Sequence, residues 1–204
     1  MTEVEQRLPH KKRSGRRVGP TSSHHMILDT ARAEFAAHGF EGTTMRAIAQ
    51  AATVDAALIH HFFLSKEGLF TAAVQDAFFV PDLVPLVVEG AAERTGERLA
   101  RAFITHWERP EIQPRFDAVL RSATAFEGAS AAVRDFLGAE VLQPVTNALG
   151  YGKPELRASL VGTQLMGVAM LRRVIRVEPV ASMRPEQLVF CVADTCQHLL
   201  TGRI

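Results

Sequence analysis

The sequence predicts an all-α protein, with a compact module of short helices at the N-terminus and a larger helical body behind it. Three observations point there. Apolar residues recur with the 3.6-residue helical period almost everywhere after residue 22. Strand-like alternation is scarce. Pro- and Gly-bearing pieces such as Arg109-Pro110, Gly150-Tyr151-Gly152 and Glu178-Pro179 separate the periodic stretches.

The elements follow in order. Over residues 23–38, Ile27, Leu28, Ala31 and Phe35 share a face, and Gly39 supplies a stop. Thr43 or Thr44 caps a short helix that buries Ile48, Ala49 and Ala52. After Thr53-Val54, Asp55 caps a third helix ending near Phe63. Ser65 caps a fourth, whose stripe is Leu69, Phe70, Ala73, Val74 and Ala77 before Pro81. The body is expected to hold helices over residues 82–93, 96–108, 114–126, 129–149, 154–177 and 185–201. The chain thus divides into a basic arm (1–21), a helix-turn-helix domain (22–72) and a helical ligand-binding and dimerisation domain (73–204).

Composition narrows the function classes. The 204 residues are 47% hydrophobic and 22% charged, as in ordinary globular proteins. No uninterrupted apolar run approaches the ~20 residues of a membrane span, and residues 1–20 lack the apolar core of a signal peptide. Two cysteines, Cys191 and Cys196, lie five apart in a helical pattern and point in different directions, so a cytoplasmic, reduced chain is expected. No His-x₃-His or Cys-x₂-Cys pair, phosphate loop or nucleophile elbow occurs, so no metal, cofactor or catalytic residue is assigned. Charge is uneven: residues 1–20 carry six basic and two acidic side chains, whereas residues 21–70 carry three basic and five acidic ones. A basic arm can neutralise phosphates and release counterions.

Two short helices joined by a tight turn and braced by a third can push one helix into a DNA major groove. Ile48, Ala49, Ala52, Val54 and Ile59 supply the buried sides, leaving Ala56, Ala57, His60 and His61 for the DNA side. The stretches Ile27-Leu28-Asp29-Thr30-Ala31-Arg32, His38-Gly39-Phe40 and Thr43-Thr44-Met45-Arg46-Ala47-Ile48-Ala49 precede Leu58-Ile59-His60-His61-Phe62-Phe63-Leu64-Ser65-Lys66-Glu67-Gly68-Leu69. Together they resemble the N-terminal DNA-binding domain of the TetR family of repressors, over about residues 22 to 72. The resemblance implies that Thr44 caps the second helix beside a phosphate and that Arg46 reaches a phosphate or base edge. It further implies that Ala56, Ala57 and Leu58 face the groove behind the Asp55 cap, that His60 and His61 stand at aromatic positions, and that Lys66 clamps a phosphate. Thr53 stands where the family has a turn glycine, so that turn is expected to adopt another geometry or carry strain.

For the body, the same resemblance implies an apolar effector pocket, with Phe103, Trp107 and Phe116 as lining and His106 and Gln113 as polar groups. Arg94, Arg98 and Arg101 are expected on a solvated face with Glu93 and Glu97. The last two helices are apolar enough to form a homodimer through Leu160, Gly167, Val168, Leu171, Leu188 and Val192, or else to be buried inside a monomer. The expected partners are therefore double-stranded operator DNA, a second copy and a small apolar effector, with no membrane. Two other readings compete: a helical small-molecule-binding protein with a DNA-silent head, and an enzyme on a helical scaffold.

Overall fold

A computed structural model describes residues 20–125 and 127–204, and among these residues every regular element is a helix. The basic arm, apart from its last two residues, and Phe126 lie outside the described residues. Helix α1 spans Pro20–Gly42, but Gly39 sits at φ 70, ψ 174, so regular winding stops at the anticipated glycine. Ile27, Leu28, Ala31 and Phe35 are buried, and Phe35 packs with Phe40 and Phe70 at ring separations of 5.1–5.6 Å.

Three side-chain caps set the next starts. The Thr44 hydroxyl accepts from the Ala47 N–H to begin α2 (Met45–Ala51), and the Asp55 carboxylate accepts from the Ala57 N–H to begin α3 (Ala56–Phe63). The Ser65 hydroxyl accepts from the Gly68 N–H to begin α4 (Lys66–Phe78). Each cap satisfies a donor that the helix itself leaves unpaired. The Thr43 hydroxyl turns inward instead and donates to Gly39 O at 2.7 Å.

Helix α4 leaves this head and enters the body. The stretch Lys66–Val88 has a mean hydropathy of 1.4, but it is broken at Pro81-Asp82 and its apolar stripe is packed in the core. Helix α5 covers Leu83–Val88 and stops short of the expected 93, because the chain turns at Gly90 (φ 106). Then come α6 (Thr95–Trp107), α7 (Gln113–Ala125), α8 (Glu127–Asp135), α9 (Gln143–Leu149), α10 (Pro154–Ala169) and α11 (Pro185–Thr201).

The expected continuous helix over 129–149 is divided by a wide π segment, Phe136–Leu142. There the Gln143 N–H reaches back to Gly138 O, and Pro144 has no N–H with which to resume normal pairing at the next step. A second π segment, Met170–Ile175, ends the α10 rod. Helix α11 lies along α6 so closely that a Cβ on Gly96 would sit 2.2 Å from the Gln197 backbone nitrogen. Gln197 fastens the contact, accepting from the Gly96 N–H and donating to Ala92 O.

Candidate nucleic-acid interface and body cavity

The α2–α3 turn is built on Thr53, which adopts φ 54. A β-branched residue in the left-handed region is strained, and two backbone bonds, Thr53 N–H to Gln50 O and Val54 N–H to Ala49 O, hold it there. The turn seats Ile59 and Phe63 in the core and leaves Ala57, His60 and His61 exposed along the opposite side of α3. Ala56 and Leu58 are half-buried at its flanks. His60 Nδ1 lies 3.1 Å from Leu64 O, and Leu64 itself, at φ 62, is 83% exposed. Thr44 at the cap of α2 and Arg46 in its first turn are exposed, and among the described residues no hydrogen bond ties the Arg46 guanidinium down. Glu67, next to Ser65, is held below the usual carboxylate range by its own backbone N–H and the Ser65 hydroxyl.

Lys66 is placed differently from the expected phosphate clamp. Its Nζ donates to Phe40 O at 2.8 Å and Thr43 O at 3.0 Å and lies 4.3 Å from the Phe40 ring centroid. A cation there satisfies carbonyls at the end of α1, so Lys66 braces the head.

Behind α1 an ion cluster joins head to body. Arg32, 4% exposed, donates to Asp29 at 2.6 Å and to Asp76 on α4 at 2.5 Å. Arg115 on α7 reaches Asp76 at 3.0 Å and Asp29 at 3.2 Å. The Ser122 hydroxyl, also on α7, lies 3.5 Å from Phe35 O on α1. Further along the body, Arg173 grips the Asp117 carboxylate with two nitrogens and Arg172 pairs with Glu108.

The body contains a cavity of about 490 Å³. Leu120, Ala123 and Thr124 of α7 form one wall; Val133 and Arg134 of α8, with Leu137, Gly138 and Leu142 of the first π segment, form the second. Gly162, Thr163 and Met166 of α10, with Met170, close it. The volume suits a small organic molecule.

None of the residues expected to line a pocket lies here. Phe103, Trp107 and Phe116 instead form a packed aromatic cluster with Phe78, in which Trp107 stacks on Phe116 at 4.5 Å and Phe78 meets Phe116 edge-on at 5.0 Å. Rings that fill one another's contact surface leave no space for a ligand. Gln113 faces the Arg173 guanidinium. His106 is 4% exposed and both of its ring nitrogens are enclosed without a partner, and burial pushes its pKa down. Periodicity marks residues as inward-facing, but does not distinguish core from cavity wall. The cavity instead follows the π segments, which single-residue patterning did not reveal.

The expected dimer residues also divide. Gly167 on α10 and Leu171 in the second π segment are exposed, and Leu160 and Val168 are half-buried. Leu188 and Val192 are 3% and 5% exposed, already packed within the chain's own core, which removes them from any outer face. Helix α11 turns Leu188, Val189, Val192, Cys196 and Leu200 inward, and Phe190 is left 83% exposed. The Cys196 thiol is pushed up to about 12 by burial, while Cys191 is exposed. Arg94 and Arg101 pair with Glu97 as anticipated, but Arg98 turns inward and donates to Val87 O and Ala91 O. Among the described residues no group of three or more His, Cys, Asp or Glu is placed to hold a metal ion.

Comparison with known proteins covers both parts of the chain. Residues 27–73 match the family model described as bacterial regulatory proteins, tetR family, and residues 93–200 match that of the tetracyclin repressor-like C-terminal domain. The HTH-type transcriptional repressor AcnR of Corynebacterium glutamicum is 42% identical over 66 residues, which is 32% of this chain and 35% of AcnR. The HTH-type transcriptional regulatory protein RaaS of Mycobacterium tuberculosis is 49% identical over 53 residues, 26% of this chain and 24% of RaaS. The matches to these curated relatives therefore span about a third of their length or less. A crystal structure of a TetR-family regulator from Streptomyces coelicolor A3 is similar throughout, with 32% identity, a TM-score of 0.68 and coverage of 92% of this chain and 99% of that one. A TetR-like regulator from Rhodococcus sp. RHA1 shares the fold at a TM-score of 0.58 and 22% identity, over 92% of this chain and 100% of its own.

Proposed function

The chain belongs to the TetR family of bacterial transcriptional regulators, and from that premise we propose a homodimeric repressor that binds a pseudo-palindromic operator and is released by a small apolar effector. The observation that carries the reading is the outer face of α3, where Ala57, His60 and His61 are exposed opposite a fully buried Ile59. Small residues let a helix approach base edges closely, and methyl groups can meet thymine methyls. Arg46 adds a phosphate or base contact from α2, and Thr44, Asp55, Ala56 and Leu58 frame the approach. With no Lys or Arg between Asp55 and Leu64, the basic arm supplies much of the phosphate binding.

A two-fold dimer would set two α3 helices about 34 Å apart on successive major grooves. Exposed apolar residues at the C-terminal end of the body support it: Leu171 and Ile175 in the second π segment, Val177 just beyond it and Phe190 on α11. The cavity among α7, α8 and α10 is the effector site.

Purified protein is to be incubated with random duplexes at near-physiological salt and the bound fraction sequenced. A palindromic motif is expected for the wild type and its loss for Arg46→Ala and for His60→Ala with His61→Ala. Retention of no DNA would overturn the repressor reading and favour a ligand-binding protein with a silent head, which the acidic excess of residues 21–70 supports.

A further inference from the structure

We propose that the body cavity takes an apolar monocarboxylic acid whose carboxylate is held by Arg134. This ligand class presupposes that the cavity is the effector site. The inference comes from counting which polar groups of the wall can donate. Among the described lining residues Arg134 is the one charged side chain, and no carboxylate lines the space with it. Four hydroxyls also line the space, but each already donates to a backbone carbonyl: Thr124 to Arg121 O at 2.8 Å, Ser130 to Ala123 O at 2.5 Å, Ser159 to Glu155 O at 2.9 Å and Thr163 to Ser159 O at 2.9 Å. A hydroxyl has one proton, so these four present lone pairs to a ligand. Lone pairs repel an anion, which leaves the Arg134 end as the place where a carboxylate finds donors.

The Arg134 guanidinium is available for that work. Its ion-pair neighbour, Asp135, lies 3.7 Å away and is 79% exposed, a pairing of little strength. The planar guanidinium fork matches a carboxylate with two parallel N–H bonds, which gives direction as well as charge. Apart from these hydroxyls the wall is apolar, and Met166 and Met170 give it side chains that adapt to an elongated or irregular hydrocarbon. An apolar body with a single acid at one end fits both features, whereas a ligand rich in further acceptors would face lone pairs.

The test uses full-length protein and three probes with one tail: decanoate, decan-1-ol and decyltrimethylammonium, titrated calorimetrically below their micelle concentrations. Decanoate is expected to bind about fivefold or more tightly than the alcohol, and the cation not to bind. Arg134→Gln, at a largely exposed position, is expected to fold normally and to bind acid and alcohol equally. A Cβ on Gly138 meets nothing within 4 Å, so Gly138→Leu fills the cavity without a clash and is expected to abolish both. Equal affinity of the wild type for acid and alcohol, or an acid preference that survives Arg134→Gln, overturns the carboxylate assignment while leaving the cavity as a site. Binding of none of the three probes overturns the cavity reading itself, and the ligand class with it.

Discussion

Replacing Asp76 by Ala is expected to lower the melting temperature by roughly 4–16 °C, far more than replacing any single carboxylate of the head. Arg32 is 4% exposed, so water cannot take over the charge when a partner is removed. Asp76 holds that guanidinium at 2.5 Å and also the Arg115 guanidinium at 3.0 Å. Breaking a buried pair from one side costs about 3–5 kcal/mol, because the other charge stays behind uncompensated. Asp29 remains on Arg32 at 2.6 Å, but it is 52% exposed and shared with Arg115, so it recovers part of the loss and leaves about 2–4 kcal/mol. For a domain of this size each kcal/mol moves the midpoint by about 2–4 °C. Burial already pulls the Arg32 pKa down, with Asp76 the largest opposing influence, which agrees with a cation that depends on this carboxylate.

The assay is thermal unfolding followed by circular dichroism near neutral pH, with two controls. Asp29→Ala removes the more exposed anion and is expected to cost less than about 1 kcal/mol. Asp76→Ala combined with Arg32→Met removes the stranded charge as well and is expected to recover much of the loss, since a well-packed apolar replacement for a buried pair is often neutral. A single Asp76→Ala midpoint within about 2 °C of wild type, or a double variant less stable than the single one, refutes the reasoning.

Three further perturbations separate packing, backbone and titration. Gly96→Ala would place a Cβ 2.2 Å from Gln197 N and 2.5 Å from Ala193 O, both backbone atoms that cannot rotate away, so a loss of about 3 kcal/mol in chemical denaturation is expected. Thr53→Gly relieves a β-branched residue at φ 54 and, after the extra freedom glycine gains in the unfolded chain, is expected to stabilise by about 0.5–1 kcal/mol, read as a higher denaturation midpoint. His106 and His24 are both held below the ordinary imidazole value of 6.5, chiefly by burial, so the unfolded chain takes up protons that the folded one refuses. Stability from these groups is therefore whole above pH 6.5 and declines as pH falls below it, ahead of Glu67 and Glu97, whose carboxyls are held below their ordinary value of 4.5. His106→Leu removes two unpartnered ring nitrogens and is expected to flatten that decline without destabilising at neutral pH, as unfolding curves across the range will register.

Much of the head could be read before the structure, because its signals are local. A cap at Thr44, Asp55 or Ser65 acts on an N–H two or three residues away, and Gly39 stops its own helix, so each is visible in a short window. Lys66 shows the opposite case. Its carbonyl partners lie 23 and 26 residues back in the chain, and no pattern near Lys66 reports them. The body shows the same limit more widely. Helical period marked Leu188 and Val192 as apolar-face residues, but whether that face meets α6 or another protein depends on a contact a hundred residues away, the one Gly96 makes with Gln197. Phe190 went unnoticed because it interrupts the stripe, yet an exposed phenylalanine on a helix whose stripe is already satisfied is the residue that asks for a partner.

On the proposed effector reading, placement of the cavity offers a physical route from ligand to DNA. Helix α7 is shared by both ends: Leu120, Ala123 and Thr124 line the cavity, while Arg115 and Ser122 on the same 13-residue helix contact the head at Asp29 and Phe35. A helix of that length moves as a rod, so a ligand that displaces its cavity side shifts the atoms bearing on α1. Asp117, between those two sets, is bound by Arg173 of the second π segment, which follows the cavity residue Met170. Position alone does not make a coupling; the ligand must favour one of two arrangements of the joint. The Arg32–Asp76–Arg115 cluster is suited to that role because two arginines share one carboxylate. A small displacement of Arg115 alters the charge balance around a buried Arg32, which ties α1 to α4 through Asp76.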